Sequence, residues 1–392
     1  MSYSLGLATG GKPISDSEVS KVYLKGSDTL GRIVLWHEAP VTVPACIAVE
    51  QVPLPSVVLE EYGACKDDDG IVYVYDKPSS VPTHPAGPYL ANSLTMMVEG
   101  QEGLRPQSLS PIHRTDRVTS GLTLCCTSAA VSRAFHKSLT EGAVDKIYLA
   151  RVTGKFPATS AEASAIGKTD DDSVGCYNWS EEGMFLAVNA PIHTANAAAG
   201  IRTVDALGKP SQSLYRLLAH DESSDTSLVS CFPVTGRNHQ LRVHLQWLGF
   251  PIVNDVQYGG RREIDHTMPI KESAAVRAML DAMESSNLNV ERRVESLSDA
   301  DVVAAKRACP CCHDGGQEGI VKSFTPAQLL VEGHAICLHA LRYRVRFLPK
   351  KSKPATRDGS SGPLLAELSF EVGPPDWADQ EVLKDLEWLV RS

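Results

Sequence analysis

No stretch of the 392 residues approaches the roughly 18 consecutive apolar positions that a membrane-spanning helix needs, so no membrane partner is expected. The opening Met1–Lys21 lacks the basic start and apolar core of a secretory signal. The first arginine is Arg32, which speaks against a mitochondrial transit peptide. The expected setting is cytoplasmic or nuclear, with mitochondrial placement left open. The ten cysteines are scattered and sit mainly in apolar surroundings, as at Cys125-Cys126 and Cys231, which fits reduced thiols better than a disulfide framework. There is no internal repeat.

Metal chemistry is also poorly provided for. Cys309-Pro310-Cys311-Cys312-His313 supplies half a zinc site, yet such sites take four ligands, and only the isolated His334 and Cys337 remain to complete it. Pro310-Cys311 suggests a zinc nucleobase deaminase, but the His-x-Glu partner and the Pro-Cys-x-x-Cys spacing of that class are both missing. No metal and no cofactor is expected.

Positive charge is in deficit: 38 Lys and Arg face 47 Asp and Glu, for a net charge of -9. That balance argues against a nucleic-acid partner until its distribution is considered. From Arg114 to Lys155, Arg114, Arg117, Arg133, Lys137, Lys146, Arg151 and Lys155 outnumber Asp116, Glu141 and Asp145. The acids gather elsewhere, at Asp170-Asp171-Asp172, Glu181-Glu182, Asp281–Asp301 and beyond Glu367. A basic groove on an acidic protein is compatible with this pattern.

Hydrophobic content of 43% supports a substantial core. Strands are predicted at Ile71–Tyr75, Lys146–Val152, Met184–Val188, Ser213–Leu218, Ser227–Phe232, Leu338–Phe347 and Leu364–Glu371. Ser128–Leu139 reads as an amphipathic helix, with Ser128 as N-cap, Val131, Phe135 and Leu139 on one face, and Gly142 closing it. Leu241–Leu248 is assigned to a helix that stops at Gly249, with Arg242 and Gln246 on a different face from the apolar set. Many antiparallel-looking strands without βαβ alternation imply an α+β protein. Residues 262–335 show little β pattern apart from a helix expected around Glu272–Glu284, and read as a surface insertion; Lys350–Gly362 reads as a flexible loop.

The chemistry concentrates in three segments. His113-Arg114-Thr115-Asp116-Arg117-Val118-Thr119-Ser120-Gly121-Leu122 seats an acid between two arginines just before an apolar run, a setting that favours an ionised, reactive carboxylate. Asp145-Lys146-Ile147-Tyr148-Leu149-Ala150 puts a tyrosine on a strand, where its ring can stack on a planar ligand. Gly236-Arg237-Asn238-His239-Gln240-Leu241-Arg242-Val243-His244-Leu245 gathers hydrogen-bond donors at a helix start, where anions are favoured. Each has a plainer reading. Asp116 alone is as readily a structural ion pair, Arg242 a surface bridge, Tyr148 a half-buried strand residue, and His113, His239 and His244 structural histidines.

Taken in order, these three segments resemble the motifs of RluA-type pseudouridine synthases. Asp76-Lys77-Pro78-Ser79-Ser80-Val81-Pro82-Thr83-His84-Pro85-Ala86-Gly87 resembles the family's strand-to-loop segment, and with Leu338-His339-Ala340-Leu341-Arg342-Tyr343 it resembles the eukaryotic branch that includes tRNA anticodon-loop enzymes. The likeness covers about residues 70–260 and 335–378. Thr115 stands where leucine is usual and Asn238 where threonine is common, departures expected to alter packing rather than activity. Leu24–Val41 resembles only the end of an S4-type RNA-binding domain.

The resemblance implies a pseudouridine synthase fold with a mixed, mainly antiparallel sheet flanked by helices and loops. It implies isomerisation of uridine in tRNA or rRNA without a cofactor. Asp116, Tyr148 and Arg242 would be catalytic, with Arg242 pairing Asp116 and Tyr148 stacking on the uracil. His113, Arg114, Thr119, Arg237, His239, Gln240 and Leu245 would bind substrate. Residues 1–66 would form an N-terminal extension with the S4-like remnant, 67–378 the catalytic domain with its insertion at about 262–335, and 379–392 a C-terminal helix. With most of the S4 module missing, a protein partner supplying RNA recognition is an expectation. The alternative is a catalytically weak RNA chaperone or assembly factor of the same fold.

Overall fold

β-branched and aromatic residues dominate the middle of the chain, and strands dominate its structure. The computed structural model describes residues 24–27, 33–35, 48–66, 68–86, 93–105, 107–166, 174–180, 184–196, 200–260, 291–292, 335–350 and 364–378. The strands are β1 (Leu24–Ser27), β2 (Ile33–Leu35), β3 (Ala48–Pro53), β4 (Ile71–Lys77), β5 (Ser110–Pro111), β6 (Ser120–Cys126), β7 (Val144–Thr153), β8 (Cys176–Ser180), β9 (Phe185–Asn189), β10 (Ile192–Asn196), β11 (Ile201–Val204), β12 (Gln212–Asp221), β13 (Thr226–Pro233), β14 (Glu291–Arg292), β15 (Leu338–Phe347) and β16 (Ala366–Glu371). The α-helices are α1 (Ser56–Glu61), α2 (Leu94–Glu102), α3 (Ala129–Thr140), α4 (Ser160–Ser164) and α5 (Gln240–Leu248). The helix expected at Glu272–Glu284, the Cys309–His313 cluster, most of the Lys350–Gly362 loop and the helix expected at 379–392 lie outside the described residues.

The chain divides into two compact units. The smaller takes in Met1–Ala45, Val81–Leu109 and Asp265–Phe324. Among its described residues, β1, β2 and β14 form a sheet in the order β1-β2-β14. Helix α2 ends on Gly103 at φ 65°, and the Glu99 carboxylate accepts the backbone N–H groups of Gln107 and Leu109, both at 2.8 Å.

The larger unit holds Cys46–Ser80, Ser110–Ile264 and Thr325–Ser392. Its described strands form an 11-stranded sheet in the order β3-β4-β6-β15-β7-β13-β12-β9-β8, with β16 paired to β15 and β5 to β6. Pairing is antiparallel except between β15 and β6. This is the expected α+β architecture. One boundary moves: β3 pairs with β4, and Leu54, Val58 and Tyr62 enter the same core as Val72, Leu122 and Phe135. The segment around 48–66, assigned above to the extension, thus packs with the 11-stranded sheet.

Local chemistry explains two helices near the motifs. Ser128 Oγ accepts the N–H groups of Ala130 and Val131, both at 3.1 Å, so α3 starts where the N-cap predicts. Helix α5 stops at Gly249, which takes φ 91°. It does not present one wet face, as expected, because it is buried on two sides. Leu241, Leu245 and Leu248 pack into one core cluster, while Val243 packs with Ile192 and Tyr258 in another.

Candidate active site

Asp116 follows β5 and opens a tight turn, in which Thr119 N–H donates to the Asp116 carbonyl at 3.1 Å. Past the turn, β6 begins by running parallel to β15, with Ser120 opposite His339 and Gly121 opposite Ala340. Ser120 Oγ lies 2.9 Å from His339 Nδ1, and His339 Nε2 lies 3.0 Å from the Gly373 carbonyl. A carbonyl only accepts, so Nε2 carries the proton and Ser120 donates to Nδ1. Burial pushes His339 down to about 4 and keeps it neutral.

Arg242 reaches Asp116 from α5, Nη1 to Oδ2 at 3.2 Å, and not from the flanking arginines. It is held from behind: Nε and Nη2 donate to the two Asp255 oxygens at 2.7 and 2.9 Å, and Nη2 also donates to Gln257 Oε1 at 2.9 Å. The exposures differ sharply, 4% for Arg242, 1% for Asp255 and 27% for Asp116. The pair Arg242–Asp255 is therefore the buried scaffold, and Asp116 is its solvent-facing member. Burial opposes the charge on Arg242, but the Asp255 and Asp116 carboxylates override it and hold the guanidinium more firmly protonated than usual. Nothing in the sequence marked Asp255 as the second partner.

His239 stands at the start of α5 in the left-handed region, φ 58°, with Nδ1 2.7 Å from Tyr258 Oη and Nε2 4.0 Å from Asp116 Oδ1. Burial lowers its pKa, the nearby Asp116 opposing and Arg242 assisting. Gln240 is spent inside the protein: Oε1 accepts Thr235 Oγ1 at 2.7 Å and Arg237 N–H at 3.0 Å, and Nε2 donates to the Gln212 carbonyl at 2.8 Å and Ser213 Oγ at 2.9 Å. Leu245 is fully buried in the core. Both are buried and brace the site from inside the protein. Arg237 is exposed, with Nε on the Pro210 carbonyl at 3.1 Å, and Arg114 is exposed as well.

Tyr148 lies on β7, opposite Ala340 of β15 and Cys231 of β13. Its hydroxyl meets that of Tyr343. Burial pushes the phenol up to about 12, with Asp116 adding to the shift and Tyr343 opposing it. His113 Nε2 accepts the Leu124 N–H at 3.1 Å, and its ring packs on Tyr343 with centroids 4.6 Å apart. Burial drives His113 down to about 3, so it serves here as a neutral packing group.

Lys77 ends β4 fully buried, a position that Asp76-Lys77-Pro78 had suggested to be a loop entry. Nζ donates to the carbonyls of Thr119 at 2.6 Å, Pro78 at 3.0 Å and Arg117 at 3.4 Å, clamping the turn that follows Asp116. Thr119 itself is buried beneath that turn. Burial pushes Lys77 down to about 7, against the pull of Asp116, and pushes the neighbouring Asp76 up to about 6, against the pull of Lys77.

A lysine pKa lowered on folding means that the unfolded chain binds more protons between the two values, so stability rises with pH across that window. The native protein should gain stability from about pH 7 towards pH 10 through this group. Lys77→Met should lose that gain and about 1–3 kcal/mol at neutral pH from carbonyls left unpaired. Chemical denaturation at the two pH values checks both effects; equal slopes for the two proteins would show that Lys77 does not titrate in the window.

The same segments match known proteins. Residues 71–247 match the RNA pseudouridylate synthase family. The chain is 34% identical over 247 residues to human "Pseudouridylate synthase RPUSD2", a match covering 63% of this chain and 36% of that protein. It is 32% identical over 258 residues to "RNA pseudouridine synthase 7" of Arabidopsis thaliana, covering 65% and 56% respectively. It is 28% identical over 252 residues to the "tRNA pseudouridine(31) synthase" of Saccharomyces cerevisiae, covering 64% and 59%. The chain thus spans between about a third and three fifths of the length of these relatives. The three motifs are gathered on one sheet and its neighbouring helix, and the likeness to RNA pseudouridylate synthases runs through them over residues 71–247.

Proposed function

We propose that this chain isomerises uridine in RNA to pseudouridine, with Asp116 as the reacting carboxylate. The observation that carries the reading is the Arg242 guanidinium, fixed on buried Asp255 and presenting Nη1 to Asp116 Oδ2 at 3.2 Å. Breaking the bond between uracil N1 and ribose C1′ requires either attack at C1′ or removal of a sugar proton. An ionised, oriented carboxylate suits both routes. Arg242 points the Asp116 carboxylate; no metal or organic cofactor is required.

Tyr148 stacks on the detached uracil while it turns. Its raised pKa keeps it a neutral phenol, able to donate or relay a proton but not standing as a phenolate. Arg114 and Arg237, both exposed, meet the phosphate backbone, and Arg114 fills the gap left by the extruded nucleotide. Flipping a base costs a few kcal/mol, least in single-stranded loops, so loop uridines of tRNA or rRNA are the favoured targets. The Saccharomyces cerevisiae relative named for tRNA position 31 favours tRNA. A cytoplasmic or nuclear site of action, and a protein partner that assists RNA choice, complete the reading.

Mapping pseudouridine in total RNA treated with wild-type chain or Asp116→Ala tests it. New sites that appear with the wild type and vanish with the variant are expected. Identical maps would replace the reading with an RNA-binding role independent of Asp116.

A further inference from the structure

Asp116 has two oxygens, and Arg242 holds only Oδ2. The other, Oδ1, faces His239 Nε2 at 4.0 Å. Three features aim that ring. His239 adopts φ 58°, a backbone state uncommon for a residue other than glycine and one that persists only where its surroundings enforce it. Its Nδ1 is tethered to Tyr258 Oη at 2.7 Å. Tyr258 is fixed in turn: its hydroxyl accepts the Arg202 backbone N–H at 3.0 Å, and its ring lies 4.8 Å from the Arg242 guanidinium carbon.

The tautomer follows from these contacts. Were Nδ1 to carry the proton, a bare Nε2 lone pair would face the carboxylate. With the Tyr258 hydroxyl donating to Nδ1, the Nε2 proton points at Oδ1 instead. Charge complementarity selects the second arrangement.

We propose that His239 is a positioning residue whose Nε2–H, aimed by Tyr258, limits rotation of the Asp116 carboxylate, so that Arg242 and His239 hold one oxygen each when RNA closes the site. This rests on Asp116 being the reacting group. The 4.0 Å separation is longer than a hydrogen bond, as expected of a contact that tightens on substrate binding. His239 thereby acts through Asp116 instead of touching the RNA, in contrast to the substrate-binding role expected from sequence.

Glutamine and asparagine distinguish the two. Glutamine places an amide N–H near the Nε2 position, whereas asparagine reaches only as far as Nδ1. Backbone preference runs the other way, because asparagine accepts the left-handed region more readily than glutamine. The test is single-turnover release of tritium from unmodified total-RNA transcripts labelled at uridine C5, read for rate and for half-saturating RNA concentration.

His239→Gln should stay within about threefold of wild type at unchanged half-saturation. His239→Asn and His239→Ala should fall roughly ten- to a hundred-fold in rate, again at unchanged half-saturation. Tyr258→Phe, which removes the hydroxyl that tethers Nδ1 and accepts the Arg202 N–H, should fall between these limits and guards against a misfolded alanine variant. Equal losses for Gln and Asn, or a raised half-saturation with the rate preserved, would overturn the inference. An inactive Asp116→Ala beside a fully active His239→Ala sinks the His239 assignment alone. Release by Asp116→Ala at the wild-type rate sinks the functional reading beneath it.

Discussion

Asp255→Ala is expected to cost about 3–5 kcal/mol of folding stability and to abolish the proposed activity, although Asp255 contacts Asp116 only through Arg242. Asp255 takes two N–H groups of Arg242 at 2.7 and 2.9 Å in a place where neither side chain meets water. Removing the acid leaves a buried guanidinium whose remaining hydrogen-bond partners are Gln257 and the partly exposed Asp116. Both remedies are harmful. If Arg242 swings outward to be solvated it abandons its Asp116 geometry, and if it stays it is under-neutralised. Thermal unfolding should register the loss at roughly 2–4 °C per kcal/mol. Asp255→Asn preserves shape but not charge, and should fall between wild type and alanine in both readouts. The exposed Glu222→Ala should change neither. A double-mutant cycle with Arg242→Ala separates direct coupling from general damage, since partners in one network lose far less together than the sum of their separate losses. If Asp255→Ala melted and reacted like wild type, Arg242 would have to be oriented by Asp116 and Gln257 alone.

Asp255 also shows what a sequence conceals. The features legible from the chain alone were local: the Ser128 cap, the Gly249 stop, the β-prone runs of β4 and β7, the order of the three motifs. Their physics is set within a few residues. Asp255 lies thirteen positions beyond Arg242, past the end of α5, and its role depends on a turn that brings it back beside the helix. Lys77 was hidden differently. A lysine before proline reads as solvent-facing loop, and only the fold shows three carbonyls converging on its ammonium to offset the cost of burial. The Tyr148–Tyr343 and Ser120–His339 contacts span 195 and 219 positions, separations at which periodicity carries no information. Residues 48–66 were misassigned because β3 carries Glu50 and Gln51 on an exposed edge, where polar residues mask a strand. Gln240 and Leu245, expected to bind substrate, are buried for a related reason: a motif marks that a residue type matters, not which way it points.

Gly121→Ala should be more damaging still, and it concerns the fold before the chemistry. Gly121 has φ +103°, and a Cβ placed there would lie 2.2 Å from the Ala340 carbonyl oxygen and 2.7 Å from the Ala340 nitrogen. Neither atom can give way alone, because both belong to the backbone of β15 in the middle of the sheet. Relief requires β6 and β15 to part where they pair in parallel, at Ser120 with His339 and Gly121 with Ala340. Ala340 also pairs with Tyr148, and Asp116 lies five residues before Gly121, so the displacement reaches both side chains proposed to act on the uridine. A loss above about 4–5 kcal/mol is expected, seen as low soluble yield or a large fall in melting temperature. Ser120→Ala is the internal comparison: it removes the hydroxyl bonded to His339 without closing any space, and should cost only about 1 kcal/mol. If Gly121→Ala melted close to Ser120→Ala, the two strands would be able to separate freely. The glycine of Thr-Ser-Gly-Leu would then be a matter of turn conformation and not, as its contacts argue, the opening through which β15 reaches the Asp116 turn.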